Sequence, residues 1–107
     1  DINQFEKETL VDIGLIPEII SRYRSTYFAH IVGGYSAGYY SYIWSGVLDA
    51  DAFQAFKETS LFNQEVANAF RVNVLEKNGI GDAAELYEAF RGRGPDIAAL
   101  KAKRGLN

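Results

Sequence analysis

Apolar residues recur along this chain at three- and four-residue spacings, and no alternating run rich in valine or isoleucine is long enough to make a convincing strand. Residues 1–13 set Phe5, Leu10 and Ile13 among charged side chains, with Asp1 or Asn3 as the N-cap, and predict a helix that Gly14 ends. Residues 15–31 place Pro17 where a first helical turn tolerates it, followed by Ile19, Ile20, Tyr23, Tyr27 and Phe28. Their spacings are mixed, and the segment reads as mostly helix.

Residues 31–48 contain no charged side chain. As a helix rising 1.5 Å per residue they would nearly cross a bilayer core of about 30 Å. Four glycines, three serines and four tyrosines make the run too polar for a membrane span. A Gly-rich loop feeding a buried helix fits better, with the helix starting near Ser36 or Gly38 and running through Leu48, Phe53 and Phe56 to a break at 58–60.

Beyond that break, Asn63 suits the N-cap of a helix with Val66, Phe70, Val74 and Leu75 on one side, ending at Asn78 and Gly79. Asp82 with Glu85 resembles a capping box opening a short helix through Leu86, Tyr87 and Phe90. Gly92, Gly94 and Pro95 interrupt, and Asp96 caps a last helix to Arg104. The pattern predicts an all-α chain.

Its 107 residues allow one domain or part of one, and 48% hydrophobic with 23% charged residues is the balance of a packed protein. Cysteine is absent, which excludes disulfides and thiolate-bound metals. The chain opens at Asp1 with no signal-like segment and is expected to be a piece of a longer polypeptide. Residues 91–107 carry five Lys/Arg against one acid, while residues 1–90 carry six against thirteen. A basic end on an otherwise acidic chain, with no nucleic-acid module around it, predicts paired or solvated arginines and no nucleic-acid partner.

Gly34-Tyr35-Ser36-Ala37-Gly38 carries the G-x-S-x-G pattern of a hydrolase nucleophile elbow. That elbow needs a strand before the serine and a histidine after it in the chain, whereas the sole histidine, His30, precedes Ser36. Ser36 is then a small polar residue near a helix start. Tyr35, Tyr39 and Tyr42 would share one face if the backbone were helical from Tyr35, and Tyr39 and Tyr42 if only the later part were. Core packing would account for such a stripe, but the adjacent Gly33 and Gly34 form a hinge that could deliver phenols to a ligand. A phenol stays protonated at neutral pH and donates one directed hydrogen bond, suited to an oxyanion. It cannot activate water unaided, and His30 alone is no metal site. The residues supply donors and a hinge without an activating centre.

The block FAHIVGGYSAGYYSYIWSGVLDADAF, followed by FKETSLF, LYEAFRGRGPD and the closing RGLN, resembles the C-terminal part of the thimet-oligopeptidase and peptidyl-dipeptidase family of zinc metallopeptidases. RGLN, with FEKETL near the start, looks most like the bacterial peptidyl-dipeptidases. The resemblance implies a multi-helix portion of a larger helical catalytic domain covering 1–107, with a Gly/Tyr-rich substrate loop near 30–42. It implies an enzyme that hydrolyses short peptides and releases C-terminal dipeptides, using Zn2+ held by an H-E-x-x-H helix and a further glutamate upstream of this region. The piece itself, lacking those ligands, is expected to bind no metal and to be inactive alone.

Residue by residue, the resemblance implies that His30, Gly33, Gly34 and Tyr35 belong to the substrate loop and that Tyr42 donates to the oxyanion opposite zinc. Tyr39 matches a recurrent family tyrosine that contacts substrate or packs beside it. The implied partners are short peptides and the remainder of the enzyme. Cut from that remainder, the piece is expected to expose apolar surface and self-associate. The rival expectation is a non-catalytic helical module whose Gly/Tyr segment binds a peptide or partner helix in its own right.

Overall fold

Asp1 begins the first helix by accepting the backbone N–H of Asn3 at 2.9 Å. The computed structural model describes residues 1–106. They form two compact units, the first from Asp1 to Tyr39 and the second from Tyr40 onward.

In the first unit, α1 (Ile2–Asp12) ends on Gly14 at φ +74°. The Gly14 N–H reaches the Val11 carbonyl and the Leu15 N–H the Leu10 carbonyl, a double closure that requires a left-handed residue, hence glycine. The helix predicted over 15–31 does not form. Isolated turns close there instead, with Ile19 N–H on the Ile16 carbonyl and Tyr27 N–H on that of Arg24. Pro17 disfavours helix at the residue before it, and the scattered apolar positions offer no single face to bury. Glu6 of α1 also competes for the backbone: one carboxylate oxygen accepts the Ser25 N–H at 2.6 Å and the Ser25 hydroxyl at 2.7 Å. Its other oxygen takes Arg24, whose guanidinium also donates to Asn3 at 2.7 Å. Only a single turn, α2 (Ala29–Val32), is helical before the glycine pair.

A tight three-residue-per-turn stretch, Ser36–Tyr40, leads into α3 (Ser41–Lys57). The run 31–48 is thus broken by a loop, and no helix among the described residues is long and apolar enough to cross a membrane.

In the second unit, α4 (Gln64–Phe70) is capped by Asn63 Oδ1, which accepts from Glu65 and Val66, and continues as a wider π turn over Arg71–Leu75. Asp82 caps α5 (Ala83–Arg91) through the N–H groups of Ala84 and Glu85. Gly92, at φ +77°, ends α5. Asp96 accepts the Ala98 N–H at the head of α6 (Ala98–Lys103). No strand occurs among the described residues, and the fold is all-α.

The second unit is built around α3, which α6 and α4 both flank. Val47, Ala50 and Ala55 of α3 are buried with Tyr87 of α5, and Phe70 meets Phe90 edge-on at 5.1 Å. Large apolar side chains such as Ile20, Trp44, Phe53, Phe62 and Ile80 remain exposed.

Candidate functional site

The single turn α2 and the loop after it bring three of the sequence-predicted residues together. His30 has the Tyr35 ring centroid at 5.5 Å and that of Tyr39 at 5.4 Å, the latter edge-on. Phe28 and Tyr23 complete the group: Phe28 lies 5.8 Å and Tyr23 6.2 Å from His30. Phe28 stacks on Tyr23 at 5.0 Å and meets Tyr39 edge-on at 4.7 Å. Such offsets and edges are favourable ring geometries, each worth about 0.5–1.5 kcal/mol beyond burial. His30 sits at the centre, half-buried, while Tyr35 keeps 44% of its surface exposed.

The loop that makes this possible is tightly tied. The Gly33 N–H reaches the Ala29 carbonyl at 2.8 Å and the Tyr35 N–H the His30 carbonyl at 3.1 Å. A Cβ at residue 33 would stand 2.8 Å from the Ala29 oxygen, so the close approach there demands glycine, whereas a Cβ at residue 34 meets nothing within 4 Å. The two glycines therefore differ: Gly33 is pinned by a neighbour and Gly34 faces open space.

Ser36 has φ +47°, in the left-handed region that non-glycine residues avoid. The segment before it is a helical turn and a loop, not the strand an elbow requires. This backbone also stops the helix from extending back to Tyr35, and the next residues wind at three per turn, so the stripe of Tyr35, Tyr39 and Tyr42 on one α-helical face does not form. Tyr42 belongs to the second unit, in the first turn of α3, half-exposed.

The second unit holds a charged centre that the periodic pattern did not single out. Asp51 of α3, 1% exposed, accepts the Tyr87 hydroxyl at 2.7 Å and Arg93 Nη2 at 2.7 Å. Arg91 Nε lies 3.5 Å from the same carboxylate, and its two terminal nitrogens each donate to Glu58 at 2.8 Å. Burial would raise the Asp51 pKa, but the hydrogen bonds from Arg93 and Tyr87 and the two guanidinium charges outweigh it and hold the carboxyl below its ordinary range. Burial, then the hydrogen bond to Asp51, pushes the Tyr87 phenol above its ordinary range. The Arg91 fork holds Glu58 low. Two signals in the sequence mark this centre: an aspartate between Ala50 and Ala52 on an apolar helix, and the Arg-Gly-Arg spacing that lets both guanidiniums face one acid. The predicted pairing of the basic end holds for Arg91 and Arg93, and Lys103 pairs with Asp49 at 2.9 Å.

An apolar groove of about 450 Å³ opens beside this centre, lined by Leu48, Phe53, Phe56, Phe70, Val74 and Leu86 among others. Among the described residues no three His, Cys, Asp or Glu side chains come together to hold a metal ion. The described residues do not by themselves form a metal centre.

Residues 1–106 match the profile of peptidase family M3, and the chain belongs to that family. Dipeptidyl carboxypeptidase of Escherichia coli (strain K12) is 41% identical over 109 residues, taking in 100% of this chain and 16% of the relative. Oligopeptidase A of the same organism is 45% identical over 80 residues, 74% of this chain and 12% of the relative. A thimet-like oligopeptidase of Dictyostelium discoideum is 34% identical over 95 residues, 89% of this chain and 14% of the relative. The chain thus spans about a sixth or less of the length of these curated relatives.

Proposed function

We propose that this chain is the substrate-binding, C-terminal helical part of a longer zinc-dependent peptidase that hydrolyses short peptides and releases C-terminal dipeptides. The observation that carries the reading is the gathering of His30, Tyr35 and Tyr39 into one cluster on a glycine loop, within a chain of peptidase family M3. The match to a dipeptidyl carboxypeptidase across 100% of the chain favours dipeptide release over internal cleavage. Zinc and its ligands belong to residues outside this chain.

In this role the rings and phenols of His30, Tyr35 and Tyr39 bind and orient a peptide, with Gly33 and Gly34 shaping the loop that presents them. Tyr42 donates its phenolic proton in a hydrogen bond to the oxyanion that forms at the scissile carbonyl, where a preorganised donor lowers the barrier. A phenol has no base to offer at neutral pH, so this role is to stabilise charge and not to take a proton from water. Exposed apolar residues such as Phe62 and Ile80 are covered by the remainder of the enzyme, and alone the chain self-associates.

Tyr42→Phe in the longer polypeptide is expected to lower kcat by about 10²-fold with KM little changed. An unaltered kcat would remove Tyr42 from this role. The apolar groove of about 450 Å³ favours a second reading, a non-catalytic helical module binding a partner helix. Tight ligand binding by a stable monomeric 107-residue chain would support it.

A further inference from the structure

We propose that Asp51 and Arg93 are positioning residues for Tyr42, setting the roll and height of the helix that carries it. The inference rests on the role given to Tyr42 above.

On α3, Gly46 and Asp49 lie four and seven residues after Tyr42, down the same face, while Asp51 lies nine residues on, about 180° around the axis. The two faces carry different contacts. On the Tyr42 side, a Cβ built on Gly46 would meet the Leu100 methyls of α6 at 3.8 and 3.9 Å, and Lys103 of α6 reaches Asp49 at 2.9 Å. On the opposite side, Arg93 grips Asp51 through both terminal nitrogens, at 2.7 and 3.3 Å, and Tyr87 takes the same carboxylate. Arg93 Nη1 also donates to the Gly94 carbonyl at 2.8 Å, which fixes the loop from which α6 departs. One guanidinium thereby joins α3 to the segment that supports its other face.

The leverage is geometric. A phenol oxygen stands about 9 Å from its helix axis, the Cα radius of about 2.3 Å plus the side chain, so a roll of about 10° displaces it by about 1.5 Å. A misplacement of about 1 Å at a reacting centre can cost about 10²-fold in rate. The exposed pair Lys103–Asp49 is too weak to resist such a roll alone. The clamp on Asp51 is the stiff element because its acid is buried and bound by three partners.

The test is a double-mutant cycle in the longer polypeptide, with Arg93→Gln measured alone and on a Tyr42→Phe background. Arg93→Gln alone is expected to lower kcat about tenfold with KM within about twofold, and to lower it by less than about twofold once Tyr42 is Phe. Equal losses in both backgrounds, or no loss in either, would overturn the proposal while leaving the role of Tyr42 intact. If Tyr42→Phe alone leaves kcat unchanged, the functional reading fails and this inference with it. Should Arg93→Gln strand the buried acid and prevent folding, Asp51→Asn/Arg93→Gln removes both charges and carries the same expectation. In the 107-residue chain, Arg93→Gln should speed amide hydrogen exchange over residues 45–49 about tenfold, and unchanged exchange there would also contradict the proposal.

Discussion

Arg93 donates to Asp51 across 42 residues of sequence, at 2.7 Å, and so closes the second unit around a buried carboxylate. Removing the guanidinium leaves the charge in place without its main partner. Arg93→Ala is expected to cost about 3 kcal/mol, near the lower end for breaking a buried pair, because Tyr87 and Arg91 still reach Asp51. Tyr87→Phe should cost less, about 2 kcal/mol, for one hydrogen bond to a charged acceptor. Denaturant unfolding of the two variants checks the order, which a larger loss for Tyr87→Phe would reverse.

The same centre sets a pH dependence. Asp51 and Glu58 have folded pKa values below their ordinary 3.8 and 4.5, so their contribution is complete above those values and disappears as pH falls through the lower folded ones. Tyr87, raised above its ordinary 10.0, contributes fully below that value and loses its contribution only as pH rises past it. Thermal melts should show stability falling below about pH 4. Of the seven tyrosines, Tyr87 should ionise late in an absorbance titration. Ionisation of Tyr87 near pH 10 would contradict the bond to Asp51.

In the first unit, three hydrogen bonds from Ser25 and Arg24 hold the Glu6 carboxyl at about 2. Its contribution is therefore full above its ordinary 4.5 and lost between there and about 2. Glu6→Gln is expected to release residues 15–28 from α1, seen as faster amide exchange there, with α1 itself less affected. Equal exchange in the two proteins would show that the apolar contacts along α1 suffice.

Gly33→Ala and Gly34→Ala separate close packing from loop freedom. The first sets a methyl 2.8 Å from the Ala29 oxygen and should disturb the ring cluster around His30, costing about 2 kcal/mol or more, whereas the second meets open space and should cost well under 1. Equal costs would mean that residue 33 relaxes freely.

Much of this fold could be read from short-range signals. Asp1, Asn63 and Asp82 cap helices where the sequence placed them, and Gly14 and Gly92 take the left-handed stops, whereas the helix predicted to run to Asn78 and Gly79 ends at Leu75 and Gly79 turns left-handed four residues later. Those signals act within a few residues and compete with little else. The helix predicted over 15–31 is absent in a segment whose backbone N–H at Ser25 goes to Glu6, nineteen residues earlier, a contact no local pattern contains. The tyrosine stripe failed for a narrower reason: one serine at φ +47° and a tightly wound turn shift the helical start past Tyr35. His30, Tyr35 and Tyr39 converge nonetheless, by loop closure instead of helical spacing. The buried Asp51 centre needs residues 42 apart and was visible in the sequence only as an acid on an apolar helix face.

We propose that these residues are the substrate-binding end of a zinc peptidase whose metal ligands lie elsewhere in a longer polypeptide. The decisive measurement is the sequence of the coding frame upstream of Asp1. An H-E-x-x-H helix is expected there with a glutamate further along, whereas a frame lacking those ligands would rule out the catalytic assignment and leave the rings around His30 as packing or as a peptide-binding surface.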